Sequence, residues 1–208
     1  MGGAVDMPRH GGRWPCRSFP HSGYDAMTPD KREVPVRVAM VIAGYHPLIG
    51  GAERQLMALA PRLQARGVDV HVVTRRYPGL EPFETVAGIP VHRLAAPGTR
   101  ATRSILFTLA AVRRIARLRP DVVHAHELYS PTTVALLAKR LLGIPVVAKV
   151  PRGGELGSIA SLSRRALGRR RVAWLCRGVD AFVTISRDID CELEAIGVPP
   201  ERRAAIPN

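Results

Sequence analysis

Val36-Arg-Val-Ala-Met-Val-Ile-Ala43 runs into Gly44-Tyr-His-Pro-Leu-Ile-Gly50-Gly51-Ala-Glu53-Arg54, and this stretch decides the fold. An apolar, β-branched run without polar alternation is a strand buried on both faces. The glycine-bearing loop then opens into a helix over Ala52–Arg66. Leu56, Leu59, Ala60 and Leu63 share one face of it, and Gly67 stops it. Pro61 inside that run is expected to bend it.

The same alternation continues outward along the chain. Val68–Thr74, Pro90–Leu94, Asp121–His126, Pro145–Val150, Val179–Ile185 and Ala204–Ile206 read as strands. Arg103–Arg119, Pro131–Leu142, Ile159–Arg177 (interrupted by Gly168) and Arg187–Ile196 read as helices between them. Buried strands alternating with helices give an α/β fold: a doubly wound, Rossmann-like parallel sheet with helices on both faces. Ligands of such sheets sit beyond the carboxyl ends of the strands. That directs attention to loops 44–51, 126–130, 151–157 and 186–187.

In the first loop, Gly50 and Gly51 let backbone approach a ligand closely. The free N–H groups of the helix start favour an anion such as a diphosphate. The loop is neither GxGxxG nor GxxxxGK[ST], which disfavours a dinucleotide site and excludes a P-loop. Glu53 suits the helix dipole without any function. Arg54 opposes it and points to a phosphate or carboxylate partner. In Asp121-Val-Val-His124-Ala-His126-Glu127, period two puts both histidines on one sheet face. His124 reads as a hydrogen-bonded core residue. His126, at the strand's carboxyl end, can bond a sugar hydroxyl or polarise a nucleophile. In Pro151-Arg152-Gly153-Gly154-Glu155 the two glycines again permit close approach, and Arg152 can hold a phosphate bidentately. Asp188-Ile189-Asp190 resembles a metal–diphosphate motif. It follows Ser186, a good N-cap, so its acids simply complement the helix dipole. No metal and no other cofactor is expected: the HxH pair has no third ligand, and the cysteines have no CxxC or Cys/His spacing.

Taken in order, GGAER with ALAPRLQARG, PDVVHAHE with GIPVV, and VDAFVTISRDIDCELEAIGVPPERRAAIPN resemble the N-terminal domain of glycosyltransferase family 4. The resemblance runs from Val36 to Asn208. It implies half of a GT-B fold, in which two Rossmann-like domains face each other across a cleft. The N-terminal domain mainly binds the hydroxyl acceptor, and the C-terminal domain mainly binds the nucleotide sugar. By the resemblance, Gly50 and Gly51 border the donor diphosphate, His126 contacts the transferred sugar, and Ser186 and Arg187 line the cleft. Transfer proceeds with retention and without metal, the nucleotide sugar being a co-substrate. The chain departs from the family by stopping at Ile206-Pro207-Asn208, so the glutamate pair and the diphosphate-holding Arg and Lys of the second domain are missing. Loop 151–157 lacks the His that many members carry there. The expected protein is therefore the acceptor-side half of an enzyme, inactive by itself and completed by a C-terminal domain or a separate donor-domain subunit. A non-catalytic binding module that recruits such a subunit or a membrane is the alternative.

The 208 residues carry a formal charge of +14, with 31 basic against 17 acidic side chains. Only Lys31, Lys139 and Lys149 among the basic residues are lysine, a skew that resembles codon bias. Aromatics are 5%, too few to stack on bases, which argues against a nucleic-acid partner. The charge concentrates in Arg100–Arg119 and Ser161–Gly178, each with six arginines and no acid. Arg103, Arg113, Arg114 and Arg117 are expected on one helical face, opposite Leu109, Val112 and Ile115. Such a face can dock on anionic lipid headgroups. With no apolar run near the ~20 residues of a spanning helix, the expected location is cytoplasmic, peripheral on the inner face of the membrane.

Residues 1–34, rich in Gly, Pro and Arg and without periodicity, read as a disordered tail ahead of one domain over 35–208. Met27 reads as the true first residue. Deleting residues 1–26 is expected to leave the melting temperature unchanged in a thermal scan; a large loss would show that the tail packs on the fold.

Overall fold

The computed structural model describes residues 34–154, 157–164 and 167–207. The tail reading, Met27 included, lies outside these residues except at Val34.

The strands are β1 (Arg37–Val41), β2 (Asp69–Arg75), β3 (Phe83–Val86), β4 (Ile89–Leu94), β5 (Val122–Ala125), β6 (Val146–Val150), β7 (Ala181–Thr184) and β8 (Arg203–Ala205). The helices are α1 (Gly51–Gln64), α2 (Arg100–Leu118), α3 (Ser130–Leu142), α4 (Ser158–Ser163), α5 (Gly168–Gly178) and α6 (Arg187–Ala195). One sheet holds the strands in the order β3-β4-β2-β1-β5-β6-β7-β8. All pairs are parallel except β3 with β4. The doubly wound α/β reading therefore holds, with an antiparallel edge added. The helices divide unevenly between the faces. Leu56 and Ala60 of α1 pack with Met40, Ile42, Val70 and Val72 on one side. Residues of α2 through α6 share the larger core around Val41, Val123, Ala148 and Phe182 on the other.

The β3–β4 hairpin was not legible in the sequence. Its two-residue turn needs positive φ at both positions, supplied by Ala87 at 51° and Gly88 at 81°. Asn-Gly or Asp-Gly is the usual signature of such a turn, and alanine there gives no signal. The helix expected over Ile159–Arg177 divides into α4 and α5 at Gly168. A Cβ on Gly168 would lie 2.1 Å from the Leu162 carbonyl oxygen, so the chain closes tightly there. α2 starts three residues earlier than expected, at Arg100, where Thr99 accepts from the Thr102 N–H at 3.5 Å. Its last residue is followed by Arg119 at φ 48°, because the residue before Pro120 avoids right-handed helix.

At the amino ends of the strands, charged side chains staple neighbours together. Asp121 accepts the Arg37 N–H at 2.7 Å, and Arg37 pairs with Asp69 at 2.5 Å. Asp180 accepts Lys139 at 2.5 Å and the Val146 N–H at 2.8 Å. The hairpin has a task at the opposite end. The Arg93 side chain on β4 is fully buried, and Glu84 on β3 neutralises it. Arg93 also donates to the His46 carbonyl at 2.6 Å, fixing the loop after β1.

Removing Glu84 leaves that buried guanidinium without its counter-ion. Glu84→Ala is expected to cost about 2 kcal/mol in urea unfolding, below the usual figure for a fully buried pair because Glu84 itself meets water. A cost under about 0.5 kcal/mol would show that the pair is dispensable.

Candidate active site

From β1 the chain moves to β2 and β4 on one side, then returns through α2 to β5 on the other. The strand order thus reverses between β1 and β5. At such a point the loops after neighbouring strands diverge and leave a crevice. The His126 N–H donates to the Val41 carbonyl at 3.0 Å, closing its floor.

Glu53 and Glu127 face each other electrostatically across this crevice. The Glu127 carboxylate accepts the Ala43 N–H. Burial pushes its pKa up, and the charge of Glu53 pushes the same way, while Arg75 and Arg152 pull it down. The two first-loop glycines have different tasks. A Cβ on Gly50 would collide with the Glu53 carboxylate, which folds back over the helix start. Gly51 has nothing within 4 Å of that position and is exposed, so bare backbone at the first residue of α1 faces outward. Arg54 lies exposed on that first turn, and the structure gives it no part in the acid–base cluster.

His126 is 1% exposed, and neither ring nitrogen has a hydrogen-bond partner among the described residues. Its ring lies 4.2 Å from that of His124. Burial, with His124 and Lys149 nearby, lowers its pKa well below the usual 6.5, so the imidazole is neutral. His124 does not have the satisfied core role expected of it, since its Nε2 is also buried without a partner among the described residues.

The remaining sequence candidates form a second group beside the first. Ser186 caps α6, accepting the Ile189 N–H at 3.4 Å. A Cβ on Gly153 would lie 2.7 Å from Ile189 Cγ1, and the Gly154 N–H donates to the buried Glu192 carboxylate. These glycines serve the close packing of the loop after β6 on α6, and Gly154 has φ 78°. Arg152 and Arg187 stand exposed on either side of that contact. Asp190 is buried and paired with Arg203 at 2.9 Å. Among the described residues no group of three or more His, Cys, Asp or Glu could hold a metal ion.

Sequence reasoning passed over Arg75, Tyr77, Lys149 and Glu192. Lys149 had a visible signal, a lone cation in the apolar run Val146–Val150; it is 2% exposed, and burial lowers its pKa to about 8. Glu192 had none, because its partner is a backbone N–H 38 residues away in sequence.

Three histidines report on this burial. Desolvation lowers His92 and His124 to about 4 and holds His126 well below the usual 6.5. They stay neutral in the folded chain and titrate near about 6.5 in the unfolded one. Protons therefore bind the unfolded state preferentially below that value. Stability should be complete above about pH 6.5 and fall as pH drops toward about 4. Urea midpoints at about pH 7.5 and 5.5 measure this, and His124→Gln should flatten the decline. A midpoint independent of pH would contradict the burial.

Comparison with known proteins agrees with this architecture. Residues 49–208 match the family model Glycosyltransferase Family 4. A glycogen synthase from Mycobacterium tuberculosis is 28% identical over 79% of the chain and 45% of its own length. A GDP-mannose:cellobiosyl-diphosphopolyprenol alpha-mannosyltransferase from Xanthomonas oryzae is 27% identical over 83% of the chain and 46% of its own length. The chain thus spans about half the length of these relatives. In structure it is similar to sucrose-phosphate synthase from Thermosynechococcus elongatus, with a TM-score of 0.66 at 15% identity over 83% of this chain and 48% of that one. With a crevice at the strand reversal and a family match over most of its length, the chain belongs to glycosyltransferase family 4.

Proposed function

We propose that this chain is the acceptor-side half of a retaining glycosyltransferase. The whole enzyme moves a sugar from a nucleotide sugar to a hydroxyl of a glycan, lipid or small molecule. The observation that carries this reading is the crevice between β1 and β5, where Glu127 feels the charges of Glu53 and Arg152 and the start of α1 presents bare backbone at Gly51. The free N–H groups at the start of α1 and the Arg152 guanidinium suit a leaving diphosphate, which then needs no metal. Neutral His126 has two buried ring nitrogens without a partner among the described residues, and a sugar hydroxyl would satisfy one of them. Ser186, Arg187, Gly153 and Gly154 gather where the loop after β6 packs on α6, and the family resemblance assigns Ser186 and Arg187 to the rim of the cleft. The acceptor oxygen bonds to the anomeric carbon on the face from which the diphosphate departs. The carbon–oxygen bond to the diphosphate breaks, and the acceptor proton passes to the leaving phosphate oxygen. Glu127 holds the acceptor hydroxyl through its carboxylate.

Saturation-transfer NMR of the chain against panels of acceptors and nucleotide sugars tests this. Acceptors are expected to bind and donors not, with Glu127→Gln weakening the acceptor signal. Donor hydrolysis by the chain alone, or donor binding without acceptor binding, would overturn the assignment.

A membrane site for the reaction has its own support. Among the described residues no helix is long and apolar enough to cross a membrane. The outer face of α2, however, differs from the expected arrangement. Phe107, Ala111, Val112 and Ile115 point inward, while Leu109 is 58% exposed rather than buried. Ile105, Leu106 and Leu109 therefore share the outward face with Arg113 and Arg117. On α5, Trp174 is exposed with Arg169, Arg170 and Arg177. Apolar side chains ringed by arginines suit the headgroup boundary of an anionic bilayer. The mannosyltransferase relative is named for a diphosphopolyprenol acceptor, a lipid. Salt-sensitive sedimentation with anionic but not neutral liposomes is expected, reduced by Arg113→Gln/Arg117→Gln. Equal recovery with both liposome types would remove the idea.

A further inference from the structure

A cleft of about 500 Å³ opens beyond the carboxyl ends of β2 and β4. Its lining includes Arg75, Arg76 and Arg103, with no acidic side chain among the described lining residues. Pro78, Leu80 and Ala96 supply apolar wall. The volume suits a small ligand. Three arginines lining one cleft without an acid among the described lining residues make it positive, and an anion offsets that charge.

These are not simply three solvated arginines. Arg75 Nη2 donates to Ser130 Oγ at 2.8 Å, and its guanidinium lies 5.0 Å over the Phe107 ring. Its Nε is buried with no partner among the described residues. A donor held in place, desolvated and unsatisfied is costly unless something accepts from it. Arg103 Nη2 donates to the Gly98 carbonyl at 3.1 Å, which fixes the far rim. Arg76 stands exposed between them in sequence and lines the same cleft.

Arg75 couples the cleft to the crevice electrostatically. Arg75 lines the one and pulls on Glu127 in the other. The Tyr77 hydroxyl lies 3.8 Å from the position of a Cβ on Gly44, and that position is 3.4 Å from Glu53 Oε1. A ligand anchored by the arginines thus extends past Tyr77 toward Glu53 and Glu127.

We infer that this cleft is an anion subsite for the acceptor, and that the acceptor carries a phosphate monoester seated among Arg75, Arg76 and Arg103. The inference rests on the acceptor-side reading given above. A phosphate presents enough oxygens to accept from more than one guanidinium, and each such charge-assisted bond is stronger than a neutral one. The subsite selects the acceptor by charge and orients its free hydroxyl into the crevice.

Calorimetric titration of the full chain at low salt with glucose 6-phosphate, inorganic phosphate, glucose and UDP tests this. Glucose 6-phosphate should bind, inorganic phosphate should compete with it, and glucose should give no heat. Arg76→Gln/Arg103→Gln should weaken glucose 6-phosphate by about ten-fold or more at unchanged melting temperature. Arg113→Gln/Arg117→Gln, on the lipid-facing side of α2, should leave that affinity unchanged. The inference fails if both phosphates bind no better than glucose or if the Arg76/Arg103 variant binds them as the wild type does. It also fails if only UDP loses affinity, because the arginines then serve the donor. Anion binding as expected, with no sugar transfer once a donor domain is supplied, would refute the transferase reading and leave the subsite standing.

Discussion

The pairing of β1 with β5 is the constraint on which the rest depends. Val38 through Val41 align with Val122 through Ala125, and the His126 N–H extends the ladder to the Val41 carbonyl. These two strands are adjacent in the sheet but separated in the chain by the whole β2–β4 excursion and α2. Because parallel neighbours need crossovers, the loops that leave β1 and β5 turn away from each other. The crevice results from that divergence. Glu53 at the start of α1 and Arg152 in the loop after β6 both act on Glu127 there, although the three lie far apart in sequence.

Charge placement follows the same polarity. At the amino ends of the strands, Asp121, Asp69 and Asp180 are each paired with a cation or a backbone donor, and the pairs hold elements together. At the carboxyl ends the pairing is incomplete. His126 has two unpartnered ring nitrogens among the described residues, Arg75 an unpartnered Nε, and Glu192 an unpartnered Oε2. Buried polar groups are normally satisfied, and Arg203 Nε at the amino end of β8 is also without a partner among the described residues. The hairpin serves the carboxyl ends as well. Through Glu84 and Arg93 it holds the loop that carries Gly44 to Gly51.

Much of the fold was legible because buried parallel strands write themselves as apolar runs. β1, β2, β5, β6 and β7 needed only their own residues to be recognised, as did α1, α3 and α6. β3 was illegible because its turn rests on Ala87 in a conformation alanine rarely adopts. Leu109 was misplaced because the helix turns α2 toward Phe107, and an arginine-rich helix offers two plausible inner faces until packing chooses one. In the site, loop glycines were visible but their tasks were not. Gly153 leaves the space that buried Ile189 occupies, and Gly50 leaves room for the Glu53 carboxylate to fold back, and only contact reveals that.

The sequence by itself determined the class of fold and the family, because hydrophobic period and loop composition are local properties. Tertiary structure decided which side chains meet. The unequal tasks of Gly50 and Gly51, the Glu192 clasp on Gly154 and the three-arginine cleft all join residues from different elements. No local pattern specifies such contacts, since they depend on how crossovers stack the elements and on which groups burial leaves without water.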